Sequence, residues 1–127
     1  MSLSTIYLSS MQSARIRFYS SPELLNQTTI VWLQGDGNYT RIHRLDHAPL
    51  VVSYTLKRFE EHLTGFVRVR RDVVVNPAFV KTCWKSGPEP FTLCLIDGTV
   101  IKAPRRKWRS VMQQLEKANV KLNFLTD

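Results

Sequence analysis

Cysteine is scarce: the 127 residues hold two, Cys83 and Cys94. Two thiols in neighbouring apolar segments make no disulfide framework. They read as buried, reduced side chains, close enough in sequence to face each other across a hairpin. Together with His43, His47 and His62 they fit no zinc-ligand spacing, so no metal and no cofactor is expected. Long apolar runs are missing too. Nothing approaches the roughly 18 residues of a membrane span. The polar opening, residues 1–13, lacks the basic-then-apolar order of a signal peptide. The expectation is a cytoplasmic protein without a membrane partner. Glycine is sparse, and all five glycines stand where turns are expected: Gly35 and Gly37 around Asp36, Gly65 after a helix-like segment, Gly87 before Pro88, and Gly98 after Asp97. Acidic residues are few as well, 10 against 18 Lys+Arg, for a net charge of +8. That imbalance favours a polyanionic partner such as nucleic acid. The acidic side chains scatter over turns and an exposed helix face, and no Ser or Cys stands in a nucleophile motif. An enzyme acting on a phosphorylated substrate therefore lacks its chemistry, and no catalytic residue is named.

The chain has the length of one domain, and its 43% hydrophobic content is enough for one core. Short runs rich in Val, Ile, Thr and aromatics lie between turn signals, at residues 15–19, 29–33, 39–44, 50–53, 66–68, 73–75, 80–85, 91–96 and 100–102. Many short runs of this kind predict an antiparallel, mostly β fold. The connections are too short for the crossovers that a parallel sheet needs. Two segments have helical spacing instead. Leu56, Phe59 and Leu63 predict a short helix from near Thr55 to before Gly65. Trp108, Val111, Met112 and Leu115 form the apolar stripe of a second, from Pro104 to about Ala118. No internal repeat is evident. The expected division is an N-terminal arm or edge strand over residues 1–20, a domain over 21–118, and a tail over 119–127 that adds a strand or frays.

Three polar clusters stand out. Lys102, Arg105, Arg106, Lys107 and Arg109 crowd the start of the last helix, where the backbone already carries partial positive charge. Ala103 and Pro104 offer no capping side chain. Most charge runs are solvated faces; this one opposes the local field, and its free N–H groups and cations call for the same anion. The second cluster is Arg68, Arg70 and Arg71. Alternation puts Arg68 and Arg70 on one side of a strand, opposite Val67 and Val69. Arginine forks suit phosphate and the O6/N7 edge of guanine, although Asp72 or a nearby Glu could instead pair with Arg70 or Arg71. The third is the turn around Gly35-Asp-Gly-Asn38, which leads into Tyr39, Thr40 and Arg41. It matches no phosphate-binding loop, and by itself it is a hairpin tip.

Four stretches in order resemble the LytTR family of bacterial transcription regulators. Thr29-Ile-Val-Trp-Leu-Gln-Gly-Asp-Gly-Asn-Tyr-Thr-Arg-Ile-His43 is similar to the family's opening strand, turn and strand, with Gly37, Asn38 and Tyr39 as its signature. Thr55-Leu-Lys-Arg-Phe-Glu-Glu-His-Leu63 resembles its short helix. Phe66-Val-Arg-Val-Arg-Arg-Asp-Val-Val-Val-Asn76 resembles its most diagnostic stretch. Asp97-Gly98 and Lys102-Ala-Pro-Arg-Arg106 resemble the closing elements. The resemblance implies small antiparallel sheets stacked in an elongated sandwich, with a short helix and a C-terminal helix. It implies sequence-specific binding of double-stranded DNA, with loops entering successive major grooves. The DNA-binding residues expected on this basis are Asn38, Tyr39, Thr40, Arg41, Arg68, Arg70, Arg71, Lys102, Arg105, Arg106 and Lys107. Arg70, Arg71, Arg105 and Arg106 lead the set as base or phosphate contacts. Core roles fall to Trp32, Leu56, Phe59, Phe66, Val67, Val75 and Leu95, and Asn76 is expected to satisfy backbone in a turn. The sequence departs from the family at Arg70, usually His, at Asp72, usually Ser, and at Pro104, usually Ser. Family members commonly carry a receiver domain of a two-component system, which this length cannot also hold. The chain is read as a stand-alone regulator or the C-terminal piece of a larger response regulator, with a receiver or sensor partner elsewhere. Two protomers on a direct DNA repeat are implied. The alternative is a basic β domain for single-stranded DNA or RNA, with Tyr39 and Trp84 as stacking candidates.

Overall fold

The computed structural model describes residues 15–18, 21–85, 88 and 91–118, with side chains from Asn26 onward. The expectations for residues 1–13, for the turn at Gly87 and for the tail from Lys121 lie outside the described residues. The chain divides into two compact units, Met1–Thr64 and Gly65–Asp127.

The first unit opens with β1 (Arg15–Phe18) and β2 (Ser21–Asn26), an antiparallel pair. A 3-10 turn, Gln27–Thr29, leads into β3 (Ile30–Asp36), β4 (Tyr39–Arg44) and β5 (Leu50–Val52). β4 pairs antiparallel with both β3 and β5. In β4 the side chains alternate as a strand with one wet face must: Tyr39 and Arg41 are exposed, Thr40 and Ile42 buried. β3 breaks the alternation because its register slips between Ile30 and Trp32. Ile30 and Val31 are both buried as a result, and Trp32 is half-buried, stacked on His43 with ring centroids 4.0 Å apart. The short helix α1 (Leu56–Glu60) starts where Thr55 accepts a hydrogen bond from the Arg58 N–H at 3.2 Å. Its Leu56 and Phe59 are buried. Such burial contributes roughly 1.5–3 kcal/mol for each side chain.

Gly35 is not the turn residue its sequence context suggested. It lies inside β3, paired with Thr40. A Cβ placed there would sit 3.0 Å from the Cβ of Leu56, so the absent side chain is what lets α1 approach the strand. Only Gly37, with φ of 61°, occupies the turn, at the first of its two central positions, where hairpins of the II′ kind need glycine.

The second unit begins with β6 (Val67–Arg70) and β7 (Val73–Val75), antiparallel and joined through Arg71 and Asp72. All three β7 residues are buried. A second 3-10 turn, Pro77–Phe79, leads to β8 (Val80–Trp84), and β9 (Phe91–Leu95) pairs antiparallel with β8 and with β10 (Val100–Ala103). A third 3-10 turn, Arg105–Lys107, precedes α2 (Trp108–Lys117), which packs on β6 through a face carrying Val111 and Leu115. Phe91, Leu93, Leu95, Ile101 and Ala103 complete the core of this unit.

The expected mostly β, antiparallel class with a short helix and a C-terminal helix is what the chain adopts. β2 was not expected, since Pro22 and Asn26 give Ser21–Asn26 the look of a loop. The last helix begins later than expected because Pro104 is extended, with ψ of 148°, and its first turn tightens into a 3-10 form. The cysteines do not face each other. Cys83 stands opposite Leu93 and Cys94 opposite Thr82, so adjacent registers turn the two thiols to opposite faces. Neither is in a disulfide, and Cys94 is half-buried where burial was expected. Trp32 and Phe66, expected in the core, are half-buried.

Candidate nucleic-acid interface

In the first unit the β3–β4 turn exposes Asp36, Gly37, Asn38, Tyr39 and Arg41. Tyr39 is 53% exposed. With Asp36, Arg41 and Val51 it lines an open hollow of about 270 Å³. Thr40, also named from the sequence, is set apart. Strand alternation turns it inward, where it is fully buried and its hydroxyl donates to the Tyr54 carbonyl at 2.7 Å. Its position in the hairpin gave no sign of that second partner, which lies fourteen residues on.

The second unit gathers most of the named cations. Along β6, Val67 and Val69 are buried while Arg68 and Arg70 are half-buried, as alternation predicts. Arg68 is used by the fold. Its Nε donates to the Arg70 carbonyl at 3.2 Å, and its Nη2 donates to the Arg71 carbonyl, so one guanidinium clasps the β6–β7 turn. Arg70 points a different way. Its Nε meets Asp72 Oδ1 at 2.9 Å, and its Nη1 donates to the Lys102 carbonyl at 3.3 Å. The pairing of Arg70 with Asp72, left open by the sequence, is thus present. The Lys102 contact joins the β6–β7 turn to β10, next to Arg105 and Arg106 in sequence. Arg71, Lys102, Arg105 and Arg106 are exposed, and Lys107 is half-buried.

The approach to α2 carries no acidic residue in its first turn and no side-chain cap at Pro104 or Lys107. Of its early N–H groups, that of Lys107 is taken by the Pro104 carbonyl at 2.9 Å. Trp108 follows, half-buried, with Lys85 Nζ 5.5 Å and the Arg109 guanidinium 5.4 Å from its ring centre. These two cations sit against an aromatic face, a use that the charge run alone did not reveal. Among the described residues no group of His, Cys, Asp and Glu could hold a metal ion. No helix among them is long and apolar enough to cross a membrane.

Two antiparallel β units, with arginines concentrated at one turn and one uncapped helix start, define a small basic β module able to hold anions. The family model for the LytTr DNA-binding domain matches residues 21–116, and the chain belongs to that family. It is also similar in fold to a solved LytTr DNA-binding domain from Bacillus cereus. The TM-score is 0.64 at 17% identity, with 81% of this chain and 94% of that one covered. No curated protein matches the chain.

Proposed function

We propose that this DNA-binding domain recognises a specific double-stranded sequence and thereby controls transcription in the cytoplasm. Its polar loops enter successive major grooves: the 36–41 tip of the first unit, and the β6–β7 and 105–107 turns of the second. Two protomers would occupy a direct repeat, under the control of a receiver or sensor partner. The observation that carries this reading is the surface of the second unit. Exposed Arg71, Arg105 and Arg106 lie on turns and exposed Lys102 on β10, with no acidic side chain at the helix start, beside an arginine held by two contacts. Phosphate contacts would supply affinity, and side chains on base edges would supply selectivity. Tyr39 is the one aromatic among the described residues that is more than half exposed, which is too few for a stacking track along a single strand.

The test is a salt titration on a duplex selected from random sequence. About five phosphate contacts per protomer give a log–log slope of roughly −4 to −5. Affinity that stays flat in salt, or a single strand that competes better than duplex, would sink the reading.

A further inference from the structure

Arg70 is held at two points, by Asp72 Oδ1 on its Nε and by the Lys102 carbonyl on its Nη1. The side chains of the pair are 39% and 50% exposed, so the ion pair lies at the surface of its unit. A surface pair of this kind adds little to folding. Its effect is on where the guanidinium points.

A guanidinium is a flat fork of five donors. Asp72 takes the Nε donor, the Lys102 carbonyl takes one from Nη1, and among the described residues nothing takes the Nη2 donors. What remains is both N–H groups of Nη2 and one of Nη1, at the end of the fork away from Nε. That edge fits the O6 and N7 acceptors of guanine. It would fit a phosphate equally well if the arginine stood alone. Here the Asp72 carboxylate, in contact with the same guanidinium, offsets its charge and repels an approaching phosphate. An arginine that is aimed and neutralised makes a poor phosphate contact and keeps its directional donors.

We propose that Asp72 is a specificity-determining positioning residue. It holds Arg70 so that the end of its fork reads an acceptor pair on a base edge, guanine foremost, and it withholds Arg70 from the phosphate backbone. The inference rests on the DNA-binding reading above. It also joins two of the sequence's departures from the family motif, Arg70 and Asp72, into one device.

The experiment compares the wild-type chain with Asp72→Asn, Arg70→Ala and the double variant. Each is put through selection from random duplex and through salt titrations on selected and scrambled duplexes. Asp72→Asn should relax the preference at one base position per protomer by about tenfold. It should bind scrambled duplex more tightly and steepen the salt slope by about 0.9, as Arg70 turns to a phosphate. Arg70→Ala should lose the same base preference without the steeper slope, and the double variant should behave like Arg70→Ala. An Asp72→Asn variant with the wild-type motif and slope overturns this inference alone. So does one that melts lower and loses all duplexes equally, because Asp72 would then be structural. A wild-type chain that selects no motif overturns the specific-DNA reading and this inference together.

Discussion

The hydroxyl of Thr40 donates to the carbonyl of Tyr54 at 2.7 Å, and no part of Thr40 is exposed. A residue inside a motif that looks built to touch DNA therefore anchors the chain between β5 and α1. Thr40→Val should cost about 0.5–1.5 kcal/mol, the loss of this part-buried hydrogen bond, read as a lower denaturant midpoint. Affinity for the selected duplex, measured well below the melt, should stay within about twofold. Lost affinity at unchanged stability would return Thr40 to the interface.

Arg105 and Arg106 should behave in the opposite way. Both are exposed on the 3-10 turn before α2 and sit at the positive end of the helix. Arg105→Ala with Arg106→Ala should remove specific DNA binding, with stability within about 0.5 kcal/mol of the wild type. Gel shifts and thermal melts on one sample separate the two effects. A double variant that binds its site normally would show that the turn before α2 faces elsewhere.

Arg68 separates charge from geometry. Its Nε and Nη2 reach two successive carbonyls, Arg70 and Arg71, a span that a lysine ammonium cannot match. Arg68→Lys and Arg68→Ala should both lower stability, by about 1–2 kcal/mol. The salt slope of Arg68→Lys should be unchanged. A stable Arg68→Lys protein, with a shallower slope for Arg68→Ala, would instead make Arg68 a phosphate contact.

Gly35→Ala should push Leu56 outward from β3. The new Cβ would lie 3.0 Å from a Cβ that cannot rotate away. Overpacking of this kind costs about 1–3 kcal/mol, and a melt identical to the wild type would show that α1 moves without penalty.

The two thiols should differ in reactivity. Cys94 is half-buried and Cys83 buried, on opposite faces of their hairpin. Alkylation of the folded protein should label Cys94 first, and mild oxidation should not link the two within one chain. A rapid intramolecular disulfide would contradict the register of β8 and β9.

Most of the strands were legible because their signals are local. Runs of β-branched residues between turn residues mark β4, β7 and β9 without reference to anything distant. The helix start near Thr55 and the role of Asn76 in satisfying turn backbone were equally local: Asn76 Oδ1 accepts from the Ala78 N–H at 3.1 Å. The unread features are those whose partner lies far along the chain. Gln27 is buried, and its amide both donates to and accepts from the backbone of Thr64, 37 residues away. Gly35 answers to Leu56, and Thr40 to Tyr54. At the candidate site, the cations were visible as a charge run, but their division of labour was not. Arg68 serves the turn, Arg70 is tethered, and Arg109 covers Trp108, and each of these depends on which carbonyl, carboxylate or ring the folded chain brings near.

The pairings within each unit run between chain neighbours: β1 with β2, β3 with β4, β4 with β5, then β6 with β7, β8 with β9, β9 with β10. Contacts this local close small loops, and small loops close fast. Each of these pairings therefore joins residues close in the chain, and those within the first unit are complete in sequence by Thr64. On the ribosome they can form in the order of synthesis, while the arginines of the second unit are still untranslated.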